Sequence, residues 1–213
     1  MTDLPLLFAD DALLVLDKPA GLLSVPGRGG DKQDSLSSRV QQVFPDALVV
    51  HRLDMATSGL ILMARGPAHQ RALSEAFAAR TVHKAYTAVV DGLLDVPDAG
   101  WQEISLAILA DWPNRPLRVI DAVRGKPSVT RWRMLEQDAV DGTTRLALEP
   151  LTGRSHQLRV HMKAIGHPIL GDALYAPNHI AAKSMRLLLH ATRLELEHPK
   201  TAEPLKFSSP PPF

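Results

Sequence analysis

No cysteine occurs among the 213 residues, which removes a disulfide framework, a zinc–thiolate centre and a thiol nucleophile together. His, Asp, Glu and Ser remain as reactive groups. No segment approaches membrane-spanning length, and the opening Met1-Thr-Asp-Leu-Pro lacks the basic stretch and apolar run of a secretory signal. A cytoplasmic protein with no membrane partner is therefore expected. Charge of one sign is not in excess either: 24 Lys and Arg face 23 Asp and Glu, a formal net charge of +1, so whole-chain charge gives no nucleic-acid signal of the kind a basic tail gives. Internal repeats, low-complexity tracts and long linkers are absent. So are a Gly-rich phosphate loop and a credible ligand cluster. His156 and His161 lie five apart, ~140° around a helix, which argues against joint metal ligation. No metal, nucleotide or redox cofactor is expected.

What is present is enough chain to bury a sizeable core without staples, as one large domain or two tightly joined lobes. Leu13-Leu-Val-Leu reads as a buried strand running into a breaker-rich loop from Asp17 to Asp34. Ser35 is placed to cap a helix on which Leu36, Val40, Val43 and Phe44 recur at helical spacing. Leu48-Val-Val and Leu60-Ile-Leu-Met read as short strands flanking His51-Arg-Leu-Asp-Met-Ala-Thr-Ser-Gly59, a polar connection anchored at both ends by core. Pro67 fits the first turn of a second helix that carries Leu73 and Phe77 inward, and Tyr86-Thr-Ala-Val-Val begins another strand. Beyond Asp91, Pro97, Pro113, Pro116 and Pro127 interrupt the pattern, until Thr144-Arg-Leu-Ala-Leu-Glu resumes strand alternation and marks a place for a second lobe to begin. Ser155 then caps a helix with Leu158, Met162 and Ile165 on its buried face, stopped by Gly166 and Pro168. Leu187-Leu-Leu-His and Leu194-Glu-Leu-Glu read as two closing strands of a shared sheet, and Ser208 to Phe213 as a Pro-rich terminus.

Three constellations carry candidate chemistry. Asp54 sits in a tight loop beside Arg52 and near His51, where a cation and backbone donors can hold a carboxylate ionised as a nucleophile or base. An Asp in such a loop can equally just close a turn onto Thr57 and Ser58. The stretch Thr152-Gly-Arg-Ser-His-Gln-Leu-Arg-Val-His-Met162 places Arg154 at a helix entrance, and Arg159 and Lys163 one turn apart on a common face opposite Leu158 and Met162. That face suits phosphates or an acidic side chain, or else is a surface helix with weak ion pairs. Arg80-Thr-Val-His-Lys-Ala-Tyr86 sets a tyrosine at a strand start, fit to stack on a base or to be half-buried in the core. Charge distribution adds a strip between Trp112 and Arg133, in which Arg115, Arg118, Arg124, Lys126, Arg131 and Arg133 are opposed only by Asp121. It reads either as a phosphate-contacting strip or as a solvated face.

In this order, His51-Arg-Leu-Asp-x-x-Thr-Ser-Gly59, Lys84-Ala-Tyr86 and Gly153-Arg-Ser-His-Gln-Leu-Arg-Val-His161 resemble the RluA family of pseudouridine synthases. Members of that family carry a His-Arg-Leu-Asp loop closed by Thr-Ser-Gly, then a Lys-x-Tyr strand, then Gly-Arg-x-His-Gln-x-Arg. The first and third motifs are highly specific; the second is weak by itself. Similarity continues through Asp17-Lys-Pro-Ala-Gly-Leu, His167-Pro-Ile-Leu-Gly-Asp172 and Leu188-Leu-His190-Ala, and so covers nearly the whole chain. Leu22-Leu-Ser-Val-Pro-Gly-Arg28 and Asp111-Trp-Pro-Asn-Arg-Pro116 narrow it to members that modify both a tRNA anticodon stem-loop and a hairpin of large-subunit ribosomal RNA.

The resemblance implies a single catalytic domain over residues 1–213, without the N-terminal S4 RNA-binding domain of many relatives. The implied fold is α+β, a mixed, mostly antiparallel central sheet split over two lobes with flanking helices and Asp54 in the cleft. It implies a monomeric, cofactor-free isomerase whose partner is RNA, with Asp54 as the catalytic carboxylate, Tyr86 beside the target base and Arg159 paired with the aspartate. Reaching a stacked uridine means extruding it, at a cost of a few kcal/mol. Arg52 is then expected at the RNA, filling the vacated space, or else in a salt bridge within the fold. Arg154, Arg115 and Arg118 are expected as further RNA contacts. Two rivals remain on the sequence: a catalytically idle RNA-binding module, and a hydrolase using Asp54 with His51 or His156.

Overall fold

The computed structural model describes residues 4–95 and 100–213; the opening Met1-Thr-Asp and Pro97, both used above, lie outside the described residues. In chain order its elements are β1 (Leu6–Ala9), β2 (Leu13–Lys18), α1 (Leu36–Val43), β3 (Ala47–Val49), β4 (Ser58–Arg65), α2 (Gly66–Ala79), β5 (His83–Asp91), β6 (Gln102–Ser105), β7 (Ile108–Ala110), β8 (Arg118–Ile120), β9 (Val129–Asp138), β10 (Thr143–Pro150), α3 (Gln157–Ala164), α4 (Asn178–Ala181), β11 (Leu189–Glu197) and β12 (Pro204–Ser208). The class is α+β, as expected. The strand pairings with a described register are antiparallel, except that of β11 with β4, which is parallel. No described helix is long and apolar enough to cross a membrane. The chain divides into two compact units, Met1–Lys84 with His190–Pro212, and Ala85–Leu189 with Phe213.

In the first unit β4 pairs with β2, β3 and β11, while β1 flanks β2 and β12 flanks β11. Leu13 to Leu16 and Leu60 to Ala64 are buried without interruption, so these strands read as continuous apolar runs because both of their faces are covered. Each such fully buried Leu contributes about 1.5–3 kcal/mol. Ser35 caps α1 as expected, accepting from the Ser38 amide at 3.2 Å. Val43, assigned to the apolar face, is 53% exposed instead. A two-turn helix needs only one apolar stripe, and Leu36 and Val40, four apart and both buried, supply it. Pro67 stands in the first turn of α2, and Leu73 is buried.

In the second unit β10 lies between β5 and β9, with β6 on the far side of β9, while β7 and β8 form a separate two-stranded ribbon. Thr144, Leu146 and Leu148 of β10 point inward, and α3 packs against β9 and β10. This unit opens at Ala85 rather than near Thr144. The stretch read as loop holds β9, ten residues long, whose Arg131, Arg133 and Glu136 mask the inward pair Thr130 and Trp132. Further along, the two closing strands are one, β11, and its outer neighbour β12 lies in a stretch given no element in the sequence reading, reaching the Pro-rich terminus only at Ser208.

The entrance to α3 also differs. Ser155 is exposed and caps nothing; the N-cap is His156 in the left-handed region, at φ 59° and ψ 15°, with no side-chain cap bond. Gln157 closes the entrance in its place. Its Oε1 accepts from Thr152 Oγ1 at 2.7 Å and from the Arg154 amide at 3.0 Å, and its Nε2 donates to the Val129 carbonyl and Thr130 Oγ1. Nor is α3 a surface helix: Gln157 through Met162 are all buried, Arg159 included. The expected stop does form, with Gly166 at φ +88° and its amide donating to the Lys163 carbonyl at 3.0 Å.

Candidate active site

The loop between β3 and β4 carries Asp54 on a backbone pinned from two directions. Leu53 is buried, and Ser24 Oγ serves both of its peptide groups, accepting from the amide at 3.1 Å and donating to the carbonyl at 2.7 Å. The Met55 carbonyl accepts from the Gly21 amide at 2.8 Å and from Lys18 Nζ at 3.2 Å. Lys18 is fully buried, and its ammonium also donates to the carbonyls of Pro19 and Leu22, each at 2.8 Å. The Thr57 amide donates to the Asp54 carbonyl at 3.1 Å. The turn therefore exists and engages the Asp54 main chain, and the side chain it carries is half-buried.

The end of the motif is equally constrained. Gly59 has φ +109°, and a Cβ there would fall 2.4 Å from the Ala191 carbonyl oxygen, so only glycine lets β11 approach β4 this closely. Ser58 Oγ lies 2.7 Å from His190 Nδ1, His190 Nε2 lies 2.9 Å from Ser209 Oγ, and Ser209 donates to Asp17. This buried chain ties the motif to the Leu188-Leu-His190-Ala stretch and to the residue after β12.

His51 does not face Asp54 chemistry. Its Nε2 accepts from the Leu62 amide at 2.9 Å, which requires a neutral ring protonated at Nδ1, and the imidazole stacks on Phe77 at 4.6 Å. Burial, with the Lys84 ammonium second, pushes its pKa down to about 3. Arg52 and Met55 are exposed on either side of the Leu53–Asp54 pair.

In the second unit, Tyr86 is half-buried on β5, opposite Leu148 of β10. Arg159 is 4% exposed and forms a fork with Asp172, itself 1% exposed: Nε to Oδ2 at 2.8 Å and Nη2 to Oδ1 at 2.6 Å. Asp172 Oδ1 also accepts from the amides of Leu174 and Tyr175. Arg159 and Lys163 do share a face, and the Tyr175 ring lies against it, 5.0 and 5.9 Å from the two cations, with Arg159 buried and Lys163 exposed. Asp172 and Tyr175 were not singled out by sequence reasoning. The signal was an Asp three residues before an aromatic in Gly171-Asp-Ala-Leu-Tyr175, the spacing of a side-chain-closed turn.

The remaining cations also lie in this unit. Arg115 is exposed and sits 4.8 Å from the ring of the exposed Trp112. Arg118 is half-buried, and its Nη1 donates to the carbonyls of Pro116 and Leu117, bracing its own loop. Arg154 is exposed at the entrance to α3, its Nε 3.4 Å from the Pro127 carbonyl. The described structure thus joins Arg118 and Arg159 at one residue, since the Arg118 amide donates to the Tyr175 hydroxyl at 3.0 Å.

A sequence model of the RNA pseudouridylate synthase family matches residues 12–164. The dual-specificity RNA pseudouridine synthase RluA of Escherichia coli strain K12 is 46% identical over 210 residues, covering 99% of this chain and 94% of that protein. Its namesake in Pasteurella multocida strain Pm70 is 48% identical over 204 residues, covering 96% and 91%. Among solved structures, human RNA pseudouridylate synthase domain containing 1 matches with a TM-score of 0.81 at 30% identity, over 99% of this chain and 84% of that one. The human domain containing 4 protein, at 24% identity, shares the fold with a TM-score of 0.74 over 97% and 88%. The chain belongs to the family of RNA pseudouridylate synthases. Within that family it is of the RluA type.

Proposed function

We propose that the chain isomerises uridine to pseudouridine in structured RNA, in both a tRNA anticodon stem-loop and large-subunit ribosomal RNA, with Asp54 as the catalytic carboxylate. The observation that carries this is the Asp54 loop, in which Ser24, Gly21 and Lys18 hold the peptides on either side of the carboxylate. Immobilising the base of a reacting group in this way is what orientation catalysis requires. The reaction breaks the bond from uracil N1 to the ribose, rejoins the ring through C5, and returns to N1 the proton that C5 gives up. Asp54 serves it as nucleophile or base. Tyr86 replaces the stacking that the extruded base loses, and Arg159 keeps the carboxylate ionised and aimed. Arg52, Arg154, Arg115 and Arg118 contact the RNA. One copy of the chain, as a single catalytic domain in the cytoplasm, suffices without a cofactor. A hydrolase pairing Asp54 with His51 is not supported, because that imidazole is neutral and its Nε2 lone pair is engaged by Leu62.

Incubating the purified protein and Asp54→Asn with unmodified tRNA and large-subunit rRNA transcripts, then mapping pseudouridine, tests this. Product from the wild type alone, in both RNAs, is expected. RNA binding without pseudouridine from the wild type would leave the idle RNA-binding module.

A further inference from the structure

We infer that Tyr175 is a positioning residue for the reaction proposed above, fixing Arg159 through its ring and the entrance of α3 through its hydroxyl. The inference rests on the reading of Arg159 given there. Tyr175 is 4% exposed, and a buried phenol must place its proton on an acceptor. The Arg118 amide can only donate, so at 3.0 Å it takes a lone pair of the phenol oxygen. The phenol proton is then directed to His156 Nδ1, 2.6 Å away. The neutral His156 ring is thereby held as the Nε2–H tautomer. This is the residue that enters α3 at φ 59°, a strained conformation for a non-glycine residue that persists only where its surroundings impose it. The hydroxyl, with edge packing of the two rings at 5.6 Å and 81°, supplies that imposition.

The ring acts on Arg159 in a direction that the Asp172 fork cannot. The fork fixes the guanidinium within its own plane, but a two-point contact along one edge still allows the plane to rock about that edge. The Tyr175 ring, 5.0 Å from Cζ, opposes the rocking. Both restraints issue from one short turn, because Asp172 Oδ1 also accepts from the Tyr175 amide at 3.2 Å. The turn is in turn seated by Gly171, at φ +72°, where a Cβ would fall 1.8 Å from the Arg186 carbonyl oxygen. If packing were the whole role, Phe would serve as well as Tyr.

Tyr175→Phe keeps the ring and removes only the hydroxyl, while Tyr175→Leu removes both. With pseudouridine formation as the assay, Tyr175→Phe is expected to lower kcat about 10-fold with KM for RNA unchanged within about twofold. Tyr175→Leu is expected to lower kcat about 100-fold. In an Arg159→Lys background the Leu substitution should cost much less, because the two act as a unit. The 15N spectrum of the His156 ring provides a readout independent of folding stability: a single Nε2–H tautomer in the wild type and a mixture in Tyr175→Phe. Wild-type kcat in Tyr175→Phe, or an unchanged His156 tautomer, overturns the positioning role, and these two measurements stand even if Tyr175→Leu does not fold. A wild-type chain that forms no pseudouridine overturns the underlying reading of the site instead, and that result is known before any variant is compared.

Discussion

The half-buried His51 and the buried Arg159 are held in opposite charge states by what surrounds them. Arg159 stays charged because Asp172 supplies a carboxylate and further donors satisfy that carboxylate, without which a buried guanidinium is costly. His51 receives a backbone N–H instead of a carboxylate, and burial, then Lys84, push its pKa down to about 3 from 6.5. The linkage has a definite sign. Between pH 3 and 6.5 the unfolded chain binds a proton at this position and the folded chain does not, so stability rises with pH across that window and is lost on acidification. The contribution is at most about 1.4 kcal/mol per pH unit. His51→Gln keeps an acceptor for the Leu62 amide and removes the titration. Urea unfolding between pH 4 and 6.5 should therefore show a flatter dependence in the variant than in the wild type. Equal slopes would place the acid sensitivity on other groups.

At the scale of elements, the close approach of β11 to β4 depends on the absence of one methyl group. Gly59→Ala combines a positive φ with a Cβ 2.4 Å from the Ala191 oxygen, on a backbone that two strands hold. It should cost at least about 2 kcal/mol in unfolding free energy, read as a lowered denaturant midpoint. Gly30→Ala, with open space around its Cβ and no positive φ, is the matched control and should cost well under half of that. This contrast also shows why parts of the fold were legible in the sequence. Ser35, Pro67 and the runs Leu13–Leu16 and Leu60–Met63 are local signals whose elements form where expected, because cap chemistry and uninterrupted apolar strands need no distant partner to be recognised. β9 was hidden because its outward face is charged and Pro127 precedes it, and β12 because its pattern makes sense only against β11. The α3 entrance was misread because Gln157 is tied to residues nearly thirty positions away, which leaves Ser155 with nothing to cap. In the same way motif order was enough to single out Asp54, Tyr86 and Arg159 as candidates, whereas Asp172 and Tyr175 come to notice only through their contacts with Arg159, which folding makes.

For the molecule as a whole, a formal net charge of +1 cannot attract RNA over long range, so affinity must come from how charges are distributed. The strip from Arg115 to Arg133 is not uniform in this respect. Arg124 is paired with Asp121, Arg131 lies 3.7 Å from Glu149, and Arg118 braces its own loop. Arg115 and Arg133 stack on tryptophan rings, which spread no opposing charge, and the exposed Lys126 is in none of the described ion pairs. Charges already neutralised by a carboxylate release few counterions when a phosphate arrives, whereas the others release about one each. Replacing Arg115, Lys126 and Arg133 together by Gln should therefore weaken RNA binding and reduce the slope of log K against log salt by about 2–3. Arg124→Gln should change that slope much less, because it removes a cation whose charge Asp121 already balances. Filter or anisotropy titrations over a range of salt concentrations would separate the two variants. A triple variant with the wild-type slope would make the strip part of the scaffold and return the search for RNA affinity to Arg52 and Arg154 beside the two motifs.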